Sequence, residues 1–413
     1  MLNIKEQNVP KNILLLGSSS LLNDLSSEMI TPILPLLITQ LGGAGLAIGL
    51  IGGVREGFAN ILQLFAGYTS DKIGKRKIFI YLGYGTSAFF KLFLALAQSW
   101  IFIFSLVGLE RIGKALRTAP RDALIAESSS NNKGLGFGVH RALDTIGAIL
   151  GSLVVFFMLW HWHINFQTII LCSAAIALLS LIPLLWVQEN THMQIQENTN
   201  AHEQTPTPTK NQQTHAQEQK ITFSQLTPAF KTFTIIASIF SLSNLSYMFF
   251  IIKAQKLLPN SPSTVTPILL YVLFNISYTI FAIPIGALSD KIGRWKLLVF
   301  GYFLFASLTL SFAFAQSLTS LILLFILYGI TLAIIKVNHK AFASDLIPAH
   351  IRATALGVFD TITGIIVLAA GATIGLLWQY MGSNIALYFT SIVAFCAVTL
   401  LFIFKKELDK KNT

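Results

Sequence analysis

Residues 67–76 read Gly-Tyr-Thr-Ser-Asp-Lys-Ile-Gly-Lys-Arg, and residues 286–295 read Gly-Ala-Leu-Ser-Asp-Lys-Ile-Gly-Arg-Trp, the same phrase 219 positions further on. Other pairs keep nearly that spacing. Asp24-Leu25-Ser26 pairs with Asn244-Leu245-Ser246, Arg117 and Arg121 with Lys336 and Lys340, and Asp144-Thr145-Ile146 with Asp360-Thr361-Ile362. Chance matches would not hold one offset along the chain, so the protein is built from two tandem copies.

Each copy is dominated by apolar runs. Of 413 residues, 54% are hydrophobic and 11% charged, and the mean hydropathy is +0.66, whereas a soluble domain carries about 25% charged residues. Runs long enough to span a bilayer fall near 12–38, 46–70, 78–98, 101–123, 135–159 and 166–187, then near 229–252, 265–289, 297–315, 319–343, 353–379 and 385–404. The sequence therefore predicts an all-α integral membrane protein with 12 transmembrane helices. They form two pseudo-symmetric six-helix bundles over 1–187 and 229–413. The first run follows Lys5, Glu6 and Lys11 as a signal peptide would, but it is too long, holds Asp24 and Glu28 and lacks a small-residue cleavage site, so it reads as a retained helix.

The net charge of +11 could suggest nucleic acid, but the cations fall in the loops between apolar runs. Lys72, Lys75, Arg76, Lys77, Lys133, Lys291, Arg294, Lys296, Arg352 and the tail lysines all fall on the side of the termini, and the other side offers little besides Lys253 and Lys256. The positive-inside rule then puts both termini in the cytoplasm of a bacterial inner-membrane protein. Residues 188–228, rich in Gln, Asn, Thr and Glu, cannot bury a core and read as a polar cytoplasmic linker. His192, His202 and His215 within it lack metal-ligand spacing. Cys172 and Cys396 lie inside apolar runs and read as buried small hydrophobes. No metal, cofactor or nucleic-acid partner is expected, and Gly134-Leu135-Gly136-Phe137-Gly138 follows no strand, so it is not a dinucleotide loop.

The repeated phrase resembles the signature of the major facilitator superfamily, G-x-x-x-D-[RK]-x-G-[RK]-[RK], in the loop after the second helix, and the copy after the eighth resembles it too. The resemblance implies secondary transport of a small molecule by alternating access. It also implies that Asp71, Arg76, Asp290 and Arg294 latch the cytoplasmic gate. Gly67 and Gly286 would allow close helix approach, and Gly74 and Gly293 a tight turn with positive φ. Glu127 and Asp345, nearer the same end, join this gate set. Met29-Ile30-Thr31-Pro32-Ile33-Leu34-Pro35 is similar to the first-helix ending of twelve-helix drug exporters. Gly147-Ala148-Ile149-Leu150-Gly151-Ser152 is similar to the antiporter motif of the fifth helix, with Ser152 where proline is expected.

Charges inside the spans are costly, at least about 2.5–3.5 kcal/mol each at mid-bilayer. Asp24, Glu28, Arg55, Glu56, Lys91, Glu110, Arg111, Lys114, His140, Arg141 and Asp144 nonetheless sit there, nearly all of the intramembrane charge falling in the first half. They must pair or face a wet cavity. Asp24, Glu28, Glu56 and Asp144 are candidates for proton coupling, because carboxylates in a low-dielectric cavity can exchange protons as it alternates sides. Asp24 and Glu28 could instead pair with Arg55 or Lys91. Asp144 has His140 and Arg141 on the preceding turn. Arg55, Lys91 and Arg111 are candidates for binding an anionic substrate group, Arg111 by its bidentate fork. The expected protein is a monomer in the lipid bilayer that moves protons and a small organic molecule. A carboxylate metabolite or siderophore and a drug-like compound are the rival cargoes, and a non-transporting receptor or scaffold is the alternative class.

Overall fold

The computed structural model describes residues 10–129, 133–189, 226–258, 265–348 and 351–408. Most of the expected linker, residues 190–225, and Lys5, Lys410 and Lys411 lie outside these. Among the described residues there are twelve long helices and no strands. They are α1 (Lys11–Gln40), α2 (Gly45–Ile73), α3 (Arg76–Leu94), α4 (Trp100–Ser128), α5 (Lys133–Trp160) and α6 (Phe166–Trp186), then α7 (Pro228–Leu257), α8 (Val265–Ile292), α9 (Arg294–Ala313), α10 (Leu318–Asp345), α11 (Arg352–Tyr380) and α12 (Ser383–Ile403). Ten are long and apolar enough to cross a membrane. The exceptions are α3, with Lys77 and Lys91, and α4, with six charged residues from Glu110 to Asp122, because these charges lower their hydropathy.

The outer surface inverts that of a soluble protein. Ile283, Leu323, Phe65 and Ile403 are among its most exposed side chains, as expected where the solvent is lipid. Cys172 and Cys396 are exposed on this surface rather than buried as the sequence suggested. An apolar run cannot distinguish a core position from a lipid-facing one, since both environments are apolar.

Within the first half α1 packs along α5 and α3 along α4; in the second, α8 packs along α10 and α9 along α12. Between the halves, α2 lies along α11 and α5 touches α8. The α2–α11 contact is made by glycine. A Cβ on Gly45 would meet the carbonyl of Gly375 at 2.6 Å, and one on Gly49 or Gly57 would run into the carbonyls of Gly371 and Gly364. The antiporter-like glycines Gly147 and Gly151 of α5 serve the same purpose, because a Cβ there would strike the α1 carbonyls of Leu21 and Leu25.

Three helices are interrupted along their length. In α1, regular helix stops at Ile30 and resumes at Leu34. Pro35 has no N–H to give the Thr31 carbonyl, which instead accepts the Tyr247 hydroxyl of α7 at 3.2 Å. α2 widens to a π-turn at Val54–Phe58, the turn that carries Arg55 and Glu56. α7 breaks between Leu242 and Tyr247, freeing Asn244 and Tyr247 to face the other half.

Candidate functional site

The interruptions meet at a central cavity of about 310 Å³ between the halves. α1, α2 and α4 supply four carboxylates, Asp24, Glu28, Glu56 and Glu110, and four cations, Arg55, Arg111, Lys114 and Arg117. The second half supplies one charge, Lys336 of α10, and otherwise neutral donors and rings, chiefly Asn244, Tyr247, Tyr271, Asn275, Tyr278 and Tyr328. A second cavity of about 260 Å³ shares Glu56, Asn244, Leu332 and Lys336 with the first and runs on toward the face that carries the termini, past Asn60, Lys340 and Asp360.

The acids are held mostly from across the cavity. Glu28 Oε2 accepts the Tyr271 hydroxyl at 2.8 Å and Asn275 Nδ2 at 3.4 Å. Glu56 Oε2 accepts Asn244 Nδ2 at 2.6 Å. Asp24 accepts from its neighbour Asn23 at 3.3 Å. Among the described residues, neither Asp24 nor Glu28 makes an ion pair with Arg55 or Lys91.

Most of the cations are occupied within their own half. Arg55 Nη2 donates to Thr31 Oγ1 at 2.6 Å. Arg111 Nε lies 2.8 Å from Glu110 Oε2, an ion pair of two buried side chains, although no acceptor lies along its N–H. Lys91, 3% exposed, donates to Ser26 Oγ at 3.0 Å and Ser27 Oγ at 2.8 Å. It sits just behind the cavity in a small void shared with Arg55, Glu110 and Arg111. Arg117 donates to Ser87 Oγ at 2.7 Å and stacks over Tyr84.

Asp144 does not reach this cavity. It is buried nearer the terminal face, with His140 Nδ1 3.6 Å away; His140 Nε2 is 2.9 Å from Ser20 Oγ, and Ser20 is 2.7 Å from the Tyr84 hydroxyl. Arg141, instead of joining Asp144, reaches across to the Tyr278 hydroxyl at 3.5 Å.

The gate candidates form matching triangles at the terminal face. Arg76 pairs with Asp71 at 3.3 Å and with Glu127; Arg294 pairs with Asp290 at 3.7 Å and with Asp345 at 2.6 Å. Each triangle ties the loop after an even-numbered helix to the end of the helix two further on, within one half. Asp71 and Asp290 stay largely exposed, at 67% and 74%. Gly74 and Gly293 take φ of +70° and +94° in these loops. A Cβ on Gly67 would come within 3.2 Å of the Ala119 methyl, whereas one on Gly286 would make only ordinary contact with Val337.

The tyrosines and asparagines of α7 and α8 were missed by a search for charge. Their signal was Tyr271, Asn275 and Tyr278, spaced four and three apart so as to share one face of α8. The glycine stripe 45-49-53-57 was equally readable as a four-residue period. Among the described residues, no group of three His, Cys, Asp or Glu side chains could hold a metal ion.

The sequence model of the Major Facilitator Superfamily matches residues 16–259 and 233–413. An uncharacterised MFS-type transporter of Methanocaldococcus jannaschii is 46% identical over 404 residues, 97% of each chain. The solved nucleoside transporter NupG superposes with a TM-score of 0.73 at 16% identity, covering 97% of this chain and 100% of its own. A bacterial homologue of the human lysosomal transporter Spinster, inward-facing and unoccupied, superposes with a TM-score of 0.74 at 15% identity, over 98% and 99% of the two chains.

Proposed function

The chain belongs to the major facilitator superfamily and is a membrane transport protein, not an enzyme; from that premise we propose that it carries a small organic molecule with an anionic group by proton-coupled alternating access. The observation that carries this reading is the pair of bonds from Glu28 to Tyr271 and from Glu56 to Asn244. They join the charged wall of one half to the neutral wall of the other. An ionised carboxylate accepts a hydrogen bond more strongly than a protonated one, so proton uptake weakens the seam and its loss restores it. Asp24 shares the cavity with Glu28, and Asp144 continues the acidic series toward the terminal face.

The bundles 1–187 and 229–413, joined by the 188–228 linker, act as the two rocking bodies of a monomer in the inner membrane, with both termini cytoplasmic. The loop cations favour that orientation. A cysteine at Gln213 labelled by an impermeant reagent in intact cells would reverse it. With this orientation the seam at Thr31, Glu28 and the α2–α11 glycines lies on the outer side, and no ion pair among the described residues joins the two cytoplasmic triangles. The phenolic wall favours a substrate with a planar part as well, so amphiphilic acids fit better than small inorganic anions.

In proteoliposomes loaded with candidate acids, an imposed pH gradient should drive net movement that collapses with a protonophore. Movement indifferent to the gradient for every acid that binds would remove proton coupling.

The latch reading makes a separate prediction. Asp71 and Asp290 would bridge the halves only when the cytoplasmic side closes, so Asp71→Ala should shift the population toward the cytoplasm-open state. One lost charge-assisted contact of about 1.5–3 kcal/mol corresponds to roughly a tenfold or larger change in the ratio of states. Distance distributions between labels across the cytoplasmic mouth report it, and distributions unchanged from the native protein's in both Asp71→Ala and Asp290→Ala would count against the latch.

A further inference from the structure

We propose that Lys114 of α4 and Lys336 of α10 form a split site that grips the anionic part of the substrate from both halves at once. The proposal rests on the transport reading and names the contacts that reading leaves open. Both lysines line the central cavity and both are exposed there. Neither ammonium has a hydrogen bond or an ion pair among the described residues. The other cations of the wall are engaged: Arg55 with Thr31, Arg111 with Glu110 and Arg117 with Ser87. Lys340, one turn beyond Lys336 on α10, has its counterion in Asp360 at 2.6 Å.

None of the cavity's acids forms an ion pair with either lysine: Glu28 and Glu56 are committed to Tyr271, Asn275 and Asn244, Glu110 to Arg111, and Asp24, which accepts from Asn23, lies within electrostatic reach of Lys114 without bonding to it. An unpaired ammonium in a cavity walled by protein is costly, and an anion that enters between two of them gains attraction screened far less than at an open surface. Because the lysines stand on opposite bodies, one ligand that touches both also ties the bodies together, which a carboxylate held by one arginine would not do. Lys336 further sits where the two cavities meet, so an anion arriving from the terminal face encounters it early. The chemical class this geometry selects is an organic acid with two carboxylates, or one doubly charged group, on a planar body that the tyrosines of α7, α8 and α10 can cover.

The test uses the full-length protein in lipid nanodiscs with benzoate, isophthalate and the uncharged isophthalamide as probes. Isophthalate should raise Tm and bind at least about tenfold more tightly than either of the others. Lys114→Gln and Lys336→Gln should each weaken isophthalate about tenfold or more without lowering the Tm of the unliganded protein, and Lys336→Arg should restore affinity to within about threefold, because the charge returns. If both glutamine variants leave isophthalate affinity within twofold, or isophthalamide binds as well as isophthalate, or none of the three raises Tm, the split site is overturned. If isophthalate binds as expected but no binding acid crosses proteoliposomes under any gradient, the transport reading fails while the anion site stands.

Discussion

Glu28→Gln should reduce proton-gradient-driven accumulation by about a hundredfold, equivalent to about 2.7 kcal/mol of lost coupling between proton and substrate, and leave the protein folded. The amide has the shape of the carboxyl, and its Oε1 can still accept from the Tyr271 hydroxyl, which lies 2.8 Å from Glu28 Oε2 in the native protein. What it loses is the exchangeable proton and the charge. The Glu28–Tyr271 contact then has a single strength throughout the cycle and only the Glu56–Asn244 contact still answers to the proton, so substrate can exchange for substrate but is driven uphill only weakly. Counterflow in proteoliposomes with no pH gradient should therefore persist in the variant while gradient-driven net uptake falls to a small remainder. Full gradient-driven accumulation by Glu28→Gln would remove Glu28 from the coupling role and leave Asp24 to be tested in the same way.

The fold was legible because its determinants are repetitive and one-dimensional. An apolar run of bilayer length must be a helix, since only helix satisfies its own backbone in lipid, and an internal repeat fixes how twelve of them divide. Charge was legible for the same reason: Asp24, Glu28, Arg55, Glu56 and Arg111 stand out against an apolar background, and the structure gathers all five at one cavity. Pairing was not legible. Arg141 lies within a helical turn of Asp144 and yet turns to Tyr278 on the other half, a choice set by how α5 meets α8 and not by anything within α5. Nor could the sequence separate Arg111, which pairs with Glu110, from Lys114, whose ammonium has no partner among the described residues, because both are simply basic residues on one face of α4.

Toward the far face, by contrast, α2 and α11 meet through glycine and not through charge. Gly49 and Gly371 let α2 and α11 approach until backbone meets backbone, and a Cβ on either would strike the other's carbonyl oxygen. A carbonyl within a helix cannot swing aside as a side-chain end can, so a side chain at Gly49 must push the helices apart. Gly49→Leu should therefore do two things. Overpacking of a tight contact costs about 1–3 kcal/mol, to which the lost dispersion contacts along the neighbouring glycines add, so Tm should fall by several degrees. The separation should also favour the state in which the far mouth is open, opposite in sense to Asp71→Ala, and be read as a longer distance between labels at Thr39 and Tyr380. Gly85 provides the control: nothing lies within 4 Å of a Cβ built there, so Gly85→Ala should be neutral or stabilising by up to about 1 kcal/mol, the ordinary gain of alanine over glycine in a helix. Gly49→Leu with the stability of Gly85→Ala and an unchanged Thr39–Tyr380 distance would show that the α2–α11 contact neither holds the fold together nor sets which side is closed.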